Sequence, residues 1–509
     1  MAVLTREAYI ERLREQKLNA HMSGEKIDNL VDDPRIRVGI NAIGTTFDAA
    51  NDPDLHDLVT LESPLIHEQI NRWTHILEDE QDAVAKAKAM RQVGGAYGCP
   101  CLYRCIGNDL INTAWIISYD IDKKYGTNYH QRVIEIVKEV QRKDLVIGGT
   151  IVDAKGDRAL RPSQQPDPDV YLHVVEKRED GIIVRGGKAH STAALYTDML
   201  CAVPSYPLRE NEKEFALGFF CPLDAEGLTF LCRPATAPLE PLKLENPIAR
   251  KYGHAEVFVV YDDVFVPWDR VFMCGEYDFT VPLINVFTAN HMLSKCGCRS
   301  ASMELDVGAT ALIAEVNGAA RASHINDYMN EMIMNTEMVY ACAMAAAVNG
   351  KTHECGVFIP DLVPTSAGKA FAAKKLGEHR YYMQDSAGGL VQTMVDEKDY
   401  LSPETGQLME KYYKAKEGIS TEDRVRAFKL VEDLTSSRLA GWYHAMCVSG
   451  GGGPQMLKQG IRANYDVEKL KQRAKRVAGR IARFKGLASH VVSQSMSRRG
   501  FPFLSDTAF

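Results

Sequence analysis

In DVYLHVVEKREDGIIVRGGKAH, Asp169 to His190, apolar and polar residues alternate on either side of an Asp180-Gly181 pair. Alternation with a period of two puts the apolar side chains on one face of an extended chain. Asp-Gly is a favoured hairpin turn, so the segment predicts two antiparallel strands. The same texture extends outward from about Leu145 to Phe279, punctuated by Pro and Gly, with EVFVVYDDVFVP (Glu256 to Pro267) as a further strand region. Beyond these limits the period changes. Ala8–Lys17, Ser63–Val93 and Tyr129–Arg142 repeat their apolar residues with a period of 3.6, and from about Ile284 the chain is rich in Ala and Met, broken by the glycine run Gly450–Gly453. The apolar window Tyr340–Val348 reads as a buried helix. The expected class is α+β, with a helical unit over 1–144, a β domain over 145–280 and a helical bundle over 281–509.

Composition narrows the function. The chain has 509 residues, 45% hydrophobic and 25% charged, which is globular composition and excludes disorder or a coiled coil as the main state. The net charge is −7 and no basic stripe is visible, so a nucleic-acid partner is not expected. No run of about 18 apolar residues predicts a membrane span. The charged, amphipathic start MAVLTREAYIERLREQK lacks the apolar core of a secretory leader, so a cytoplasmic location is expected. In that setting the twelve cysteines are expected to be reduced thiols or metal ligands rather than a disulfide framework.

The cysteines are unevenly spread. Cys101 and Cys105 are four residues apart, which on a helix gives both thiols one face; His291 and Cys298, seven apart, share a face in the same way. Three thiolates and an imidazole suit zinc or an iron–sulfur cluster. Spacing leaves Cys99 and Cys296 as alternative ligands, and buried cysteines also serve as plain packing residues. DAKGDRALRPSQQPDPD, Asp153 to Asp169, places Lys155, Arg158 and Arg161 within seven residues of a polar loop able to hold phosphates. Thr192, after GGKAHS, could hydrogen-bond a flavin edge. QDSAGG, Gln384 to Gly389, has glycines that would let backbone N–H groups approach a phosphate. No G-x-G-x-x-G follows a strand, so no Rossmann site is predicted.

VVYDDVFVPWDRVF, Val259 to Phe272, resembles the strand segment before the C-terminal helices of acyl-CoA dehydrogenases. With DAKGDRALRPSQQPDPDVYLHVVE, VRGGKAHSTAA and the Cys-x3-Cys plus His-x6-Cys combination, the chain from about Ala8 to Arg480 resembles the 4-hydroxyphenylacetate 3-hydroxylase flavoproteins, on an acyl-CoA-dehydrogenase-like fold. Within them it is similar to the 4-hydroxybutyryl-CoA dehydratase/vinylacetyl-CoA Δ-isomerase family. The resemblance implies a homotetramer with FAD and a 4Fe-4S cluster held by Cys101, Cys105, His291 and Cys298. It implies FAD contacts from Asp153, Lys155, Asp157, Arg158, Arg161, Ser163, Gln165 and Thr192, and from Gln384, Gly388 and Gly389 of a neighbouring subunit. Glu256 matches the family's active-site glutamate. Lys295 stands where the family has a tyrosine and is the third catalytic candidate, beside His291 and Glu256. Arg299 replaces a lysine, and Met446, Cys447 and Val448 lie where a glutamate would precede the glycine turn.

The implied activity is a hydro-lyase reaction, radical dehydration of 4-hydroxybutyryl-CoA to crotonyl-CoA with isomerisation of vinylacetyl-CoA. Its difficulty is an unactivated β C–H bond, which ordinary acid–base chemistry does not reach and a one-electron cofactor does. His291 would serve as the α-proton base and Glu256 would orient or protonate the leaving hydroxyl. Competing expectations are a flavin-dependent aromatic hydroxylase without iron, a divergent paralogue with a structural cluster, and a zinc-stabilised helical scaffold.

Overall fold

The computed structural model describes residues 3–479 apart from 239 and 241. The stretch 480–509, which ends the expected helical bundle and includes the limit of the resemblance at Arg480, lies outside the described residues. Five longer helices make up most of the N-terminal region, Arg6–Arg14, Pro34–Asn51, Glu80–Tyr97, Cys105–Tyr125 and Tyr129–Lys143, but the region also gives two short strands, Ala20–Met22 and Glu25–Lys26, to a sheet completed further along the chain. The expected helix over Ser63–Val93 exists only in its second half. Ser63–Pro64 makes a turn in which Ser63 Oγ accepts from the N–H groups of Leu65 and Ile66, between the short strands Thr60–Glu62 and Gln69–Asn71. The helix starts where Asp79 caps it by accepting from the Asp82 N–H.

The middle region forms two sheets. Seven strands make the first, in the order Glu25–Lys26, Ala20–Met22, Leu228–Cys232, Val257–Pro267, Gly181–Ala189 and Val152–Asp153, with His173–Lys177 also pairing with Gly181–Ala189. The second runs Val271–Cys274, Leu217–Pro222, Met199–Ala202, Ile147–Thr150. The predicted hairpin is present, but its turn is Arg178–Asp180: Gly181 already opens the second strand, and its carbonyl accepts from the Arg178 N–H at 2.8 Å. In Val257–Pro267 the register shifts between Tyr261 and Val264, where Asp262 and Asp263 turn outward. The bulge lets one 11-residue strand keep its apolar residues on the core side across two consecutive aspartates.

From Thr280 the chain is again mostly helical. The first helix, Thr280–Val316, has 37 residues and a length of about 55 Å. It packs against Ser323–Val348, Leu362–Ala387, Glu80–Tyr97 and Cys105–Tyr125. Every residue from Ala289 to Met303 is buried, so this part is enclosed on all sides. Gly297 permits the approach: a Cβ there would lie 2.7 Å from the Ala87 carbonyl oxygen and 2.8 Å from Met90 Cβ. The architecture is α+β, with helical N-terminal and C-terminal regions around the sheets, as expected. No described helix is long and apolar enough to cross a membrane. All twelve cysteines are free thiols.

Candidate active site

The expected ligand residues lie where the Cys99–Arg104 loop and the Cys105–Tyr125 helix meet the enclosed part of Thr280–Val316. Cys105 is the first residue of its helix, and His291 and Cys298 share the long helix as predicted. Cys101 corrects the expectation of a helical Cys-x3-Cys face, because it lies in the loop. Gly98 ends the preceding helix in a left-handed conformation, and Pro100 restricts the residue before it, so no helix crosses this point. Tyr103 follows with a φ of 58°, a costly conformation for a tyrosine that the surrounding packing must hold in place. Arg104, buried, pairs with Asp144 and anchors the loop.

Cys101, Cys105 and Cys298 are all buried, and their charges act on one another. Burial pushes the Cys101 thiol up; Lys295 and Arg299 oppose this, and Cys298 adds to it. The Cys105 thiol is likewise raised, by burial first and then by Asp109 and the other two cysteines. The alternative cysteines turn elsewhere. Cys99 Sγ donates to the Cys101 carbonyl at 3.3 Å, and Cys296 Sγ lies 3.5 Å from the Thr365 carbonyl, beside Cys342.

His291 is held by a residue that carried no signal in the sequence motifs. Its Nδ1 lies 2.7 Å from Asp109 Oδ2, while Asp109 Oδ1 accepts from Lys86 Nζ at 2.6 Å and Ser294 Oγ at 2.9 Å. Asp109 stands one helical turn after Cys105, a spacing that could have flagged it. Burial raises the Asp109 carboxyl, but Lys86 and His291 outweigh it and hold it below the usual carboxylate range. Burial lowers His291 despite Asp109, so the ring is neutral near neutral pH, with Nδ1–H on the carboxylate and a lone pair on Nε2. Ligand atoms of Cys105, Asp109 and His291 lie within 4.8 Å of one another. The glycine turn closes over the imidazole: Gly451 has a φ of 72°, and a Cβ there would come within 2.4 Å of Met292 Cε and 3.0 Å of His291 Cδ2.

Beside these ligands sit buried cations. Lys295 Nζ is 3.6 Å and Arg299 Nη2 is 2.8 Å from the same Met446 sulfur, and the Arg299 guanidinium lies 4.6 Å over the Tyr443 ring. Lys369 Nζ donates to the carbonyls of Val448 at 3.0 Å and Gly452 at 2.6 Å. Burial, then Lys295 and Arg299, bring the Lys369 ammonium down to about 7.

Glu256 precedes the strand Val257–Pro267 and is largely enclosed. Its Oε1 accepts from Thr192 Oγ1 at 2.9 Å; its Oε2 accepts from Trp442 Nε1 at 3.1 Å and lies 3.2 Å from His254 Nε2. Burial raises the carboxyl, but His254, Thr192 and Trp442 together hold it below its ordinary value. His254 is sandwiched between Tyr103 and Trp442, with ring centroids 4.9 and 4.4 Å away. His254 and Trp442 carried no sequence signal.

Several of the expected flavin residues already have partners within the protein. Asp153 pairs with Lys188 at 2.6 Å, Arg161 with Glu212, and Gln165 bonds the backbone of Asp157. Asp157 and Ser163 are exposed, and Ser163 Oγ donates to Glu212 at 3.2 Å. Lys155 and Arg158 are exposed, and the charge of Lys155 reaches His190, two residues before Thr192. The strand Val152–Asp153, which leads into the loop, pairs with Lys188 and Ala189 shortly before Thr192, so the loop and Thr192 are neighbours. Gln384, with Nε2 3.2 Å from Ser436 Oγ, ends the helix Leu362–Ala387, and Gly388 and Gly389 follow in the left-handed region.

The 4-hydroxyphenylacetate 3-hydroxylase family models match residues 5–273 (N terminal) and 281–479 (C terminal). A 4-hydroxybutyryl-CoA dehydratase/vinylacetyl-CoA-Δ-isomerase of Clostridium aminobutyricum is 36% identical over 488 residues, 94% of this chain and 99% of that protein. The structure of an archaeal 4-hydroxybutyryl-CoA dehydratase from N. maritimus superposes with a TM-score of 0.91 at 34% identity, covering 96% of this chain and 98% of the other. The oxygenase component of 4-hydroxyphenylacetate 3-monooxygenase, in complex with FAD, shares the fold with a TM-score of 0.83 at 23% identity, covering 93% of this chain and 98% of the other.

Proposed function

We propose that this chain, which belongs to the 4-hydroxyphenylacetate 3-hydroxylase family, is a 4-hydroxyacyl-CoA dehydratase of the 4-hydroxybutyryl-CoA type, with FAD and a 4Fe-4S cluster. The observation that carries the reading is the set of three buried, unbridged thiols beside a histidine fixed by a carboxylate. An aromatic hydroxylase of this family has no use for such a set.

The residues fit both groups. Thiols that burial holds protonated become ligands when a metal supplies the opposing charge, and Nε2 of His291 is the one imidazole nitrogen left free. Cys101, Cys105, Cys298 and His291 would hold the cluster. For FAD, Lys155 and Arg158 offer cations whose side chains have no partner among the described residues. Ser191 Oγ, next to Thr192, is buried without a hydrogen-bond partner. When bound, the two groups supply one-electron chemistry at an unactivated C–H bond and a Lewis-acidic iron for the departing hydroxyl.

The net reaction removes the C4 hydroxyl and one hydrogen each from C2 and C3, and returns a hydrogen to C4, so that water leaves and a crotonyl-type thioester remains. His291, whose Nε2 lone pair would hold the iron, would take the α-proton with that same lone pair once released from it. Asp109 fixes the tautomer that makes this possible and steadies the imidazolium that results. Glu256 is kept ionised by its three donors, and its Oε1 retains an acceptor position with which to orient the leaving hydroxyl. The enclosing helices keep water from the site.

Anaerobically purified protein tests this directly. A flavin spectrum with a broad iron–sulfur shoulder, about four iron and four sulfide per chain, and formation of crotonyl-CoA from 4-hydroxybutyryl-CoA are expected, with crotonyl-CoA formation the outcome sensitive to the acyl chain. Zinc in place of iron, or hydroxylation of a phenol requiring dioxygen and no iron, would overturn it.

A further inference from the structure

Lys295 and Arg299 are 6% and 4% exposed, and neither has a carboxylate partner among the described residues. Arg299 Nη1 has no hydrogen-bond partner among the described residues. Four of the five other buried cations among the described residues are matched by carboxylates, Lys86 by Asp109, Arg104 by Asp144, Lys188 by Asp153 and Lys429 by Glu245; the fifth, Lys369, rests on two carbonyls. Two positive charges that converge on a thioether sulfur, a weak acceptor, lack the anion that a buried guanidinium and ammonium require.

The cluster alone does not supply it. A doubly positive 4Fe-4S core on three thiolates and a neutral imidazole is a monoanion. Asp109 is already matched by Lys86, and Lys369 is satisfied by two carbonyls. Glu256 is engaged by Thr192, His254 and Trp442 rather than by either cation, so the positive charge of Lys295 and Arg299 exceeds the negative charge beside them by one. The surplus lies at the reaction centre, because Lys295 acts electrostatically on Cys101, Cys105 and His291, and Arg299 on Cys101 and Cys298. A guanidinium with a free Nη1, set over an aromatic ring and beside an ammonium, is suited to one planar monoanion, a carboxylate.

We propose that the acyl chain of the substrate ends in a carboxylate bound by Arg299 and Lys295, so that the substrate is the CoA thioester of a hydroxylated dicarboxylic acid. This rests on the acyl-CoA reading above and narrows its substrate class, with 4-hydroxybutyryl-CoA, which lacks that carboxylate, a slow substrate.

The test uses the anaerobic holoenzyme and two five-carbon esters, glutaryl-CoA and valeryl-CoA, which differ in a terminal carboxylate against a methyl, with free CoA as control, titrated by calorimetry. Glutaryl-CoA is expected to bind at least tenfold more tightly than valeryl-CoA. In Arg299→Gln and in Lys295→Gln the preference should shrink to within about twofold, with iron content unchanged. Equal or tighter binding of valeryl-CoA by the wild-type protein overturns the proposal, as does a preference that survives Arg299→Gln. Loss of iron in both variants with the preference intact would assign the cations to the cluster instead. If neither ester binds more tightly than CoA, the acyl-CoA reading itself fails, an outcome distinct from valeryl-CoA binding as well as glutaryl-CoA.

Discussion

Cys298 and Cys296 are two residues apart on one helix, and only their direction separates a ligand from a packing residue. Cys298 faces Cys101 and Cys105, whereas Cys296 faces Thr365 and Cys342. Cys298→Ala should therefore lose most of its iron and Cys296→Ala should keep it, as measured by iron and sulfide analysis; the reverse result would reassign the ligand. His291→Cys is expected to retain iron, since thiolate replaces imidazole, and to lose dehydration by at least about a hundredfold, the usual worth of a positioned base. Glu256 allows a pH prediction. Its folded carboxyl is lowered, so its contribution to stability is present above the ordinary glutamate pKa of about 4.3 and is lost as the pH falls through the folded value. The Tm difference between wild type and Glu256→Gln should be constant from pH 7 to about 5 and shrink below about 4.3. A difference that grows on acidification would mean that Glu256 is held protonated.

At the scale of elements, the long helix brings the proposed ligands together because its neighbour comes close at Gly297. Alanine is a better helix former than glycine by about 1 kcal/mol, but its Cβ would strike the Ala87 carbonyl and Met90, and overpacking of this kind costs about 1–3 kcal/mol. Gly297→Ala should lower Tm and reduce iron retention. Gly308, exposed on the same helix with nothing within 4 Å of where a Cβ would stand, is the control: Gly308→Ala should raise stability by about 0.5–1 kcal/mol. If both substitutions stabilise, the helix pair is looser than the contact distances require.

At the scale of the molecule, Ile333, Met334 and Met338 on the helix Ser323–Val348 and Tyr381 on Leu362–Ala387 are large apolar residues about half exposed or more. These exposed apolar residues are the expected oligomer surface, and Gln384, Gly388 and Gly389 lie at the end of the second of these helices. Sedimentation should show an assembly of several chains, with a tetramer expected. Met334→Glu combined with Met338→Glu should shift it towards monomer and lower FAD content, if a neighbour completes the flavin site. A monomer with full flavin occupancy would remove that role from the glycine pair.

Periodicity alone was enough to order the helices and strands, because burial on one face imposes a period of 2 or 3.6 on any chain. It misread Ser63–Glu78 because a Ser-Pro turn interrupts a helical pattern without erasing it, and it placed the hairpin turn slightly late because Gly181 can serve a strand as well as a turn. That His291 and Cys298 share one helix was legible, since seven residues on a helix return to the same face. The selection of Cys101 from a loop rather than a helix was not, nor was the fixing of His291 by Asp109, nor the gathering of Glu256 with His254 and Trp442 from distant segments. Nor did the sequence show that Lys295 and Arg299 meet no carboxylate. Spacing carries information only within an element, whereas direction, burial and charge balance arise where elements from both ends of the chain close around one point.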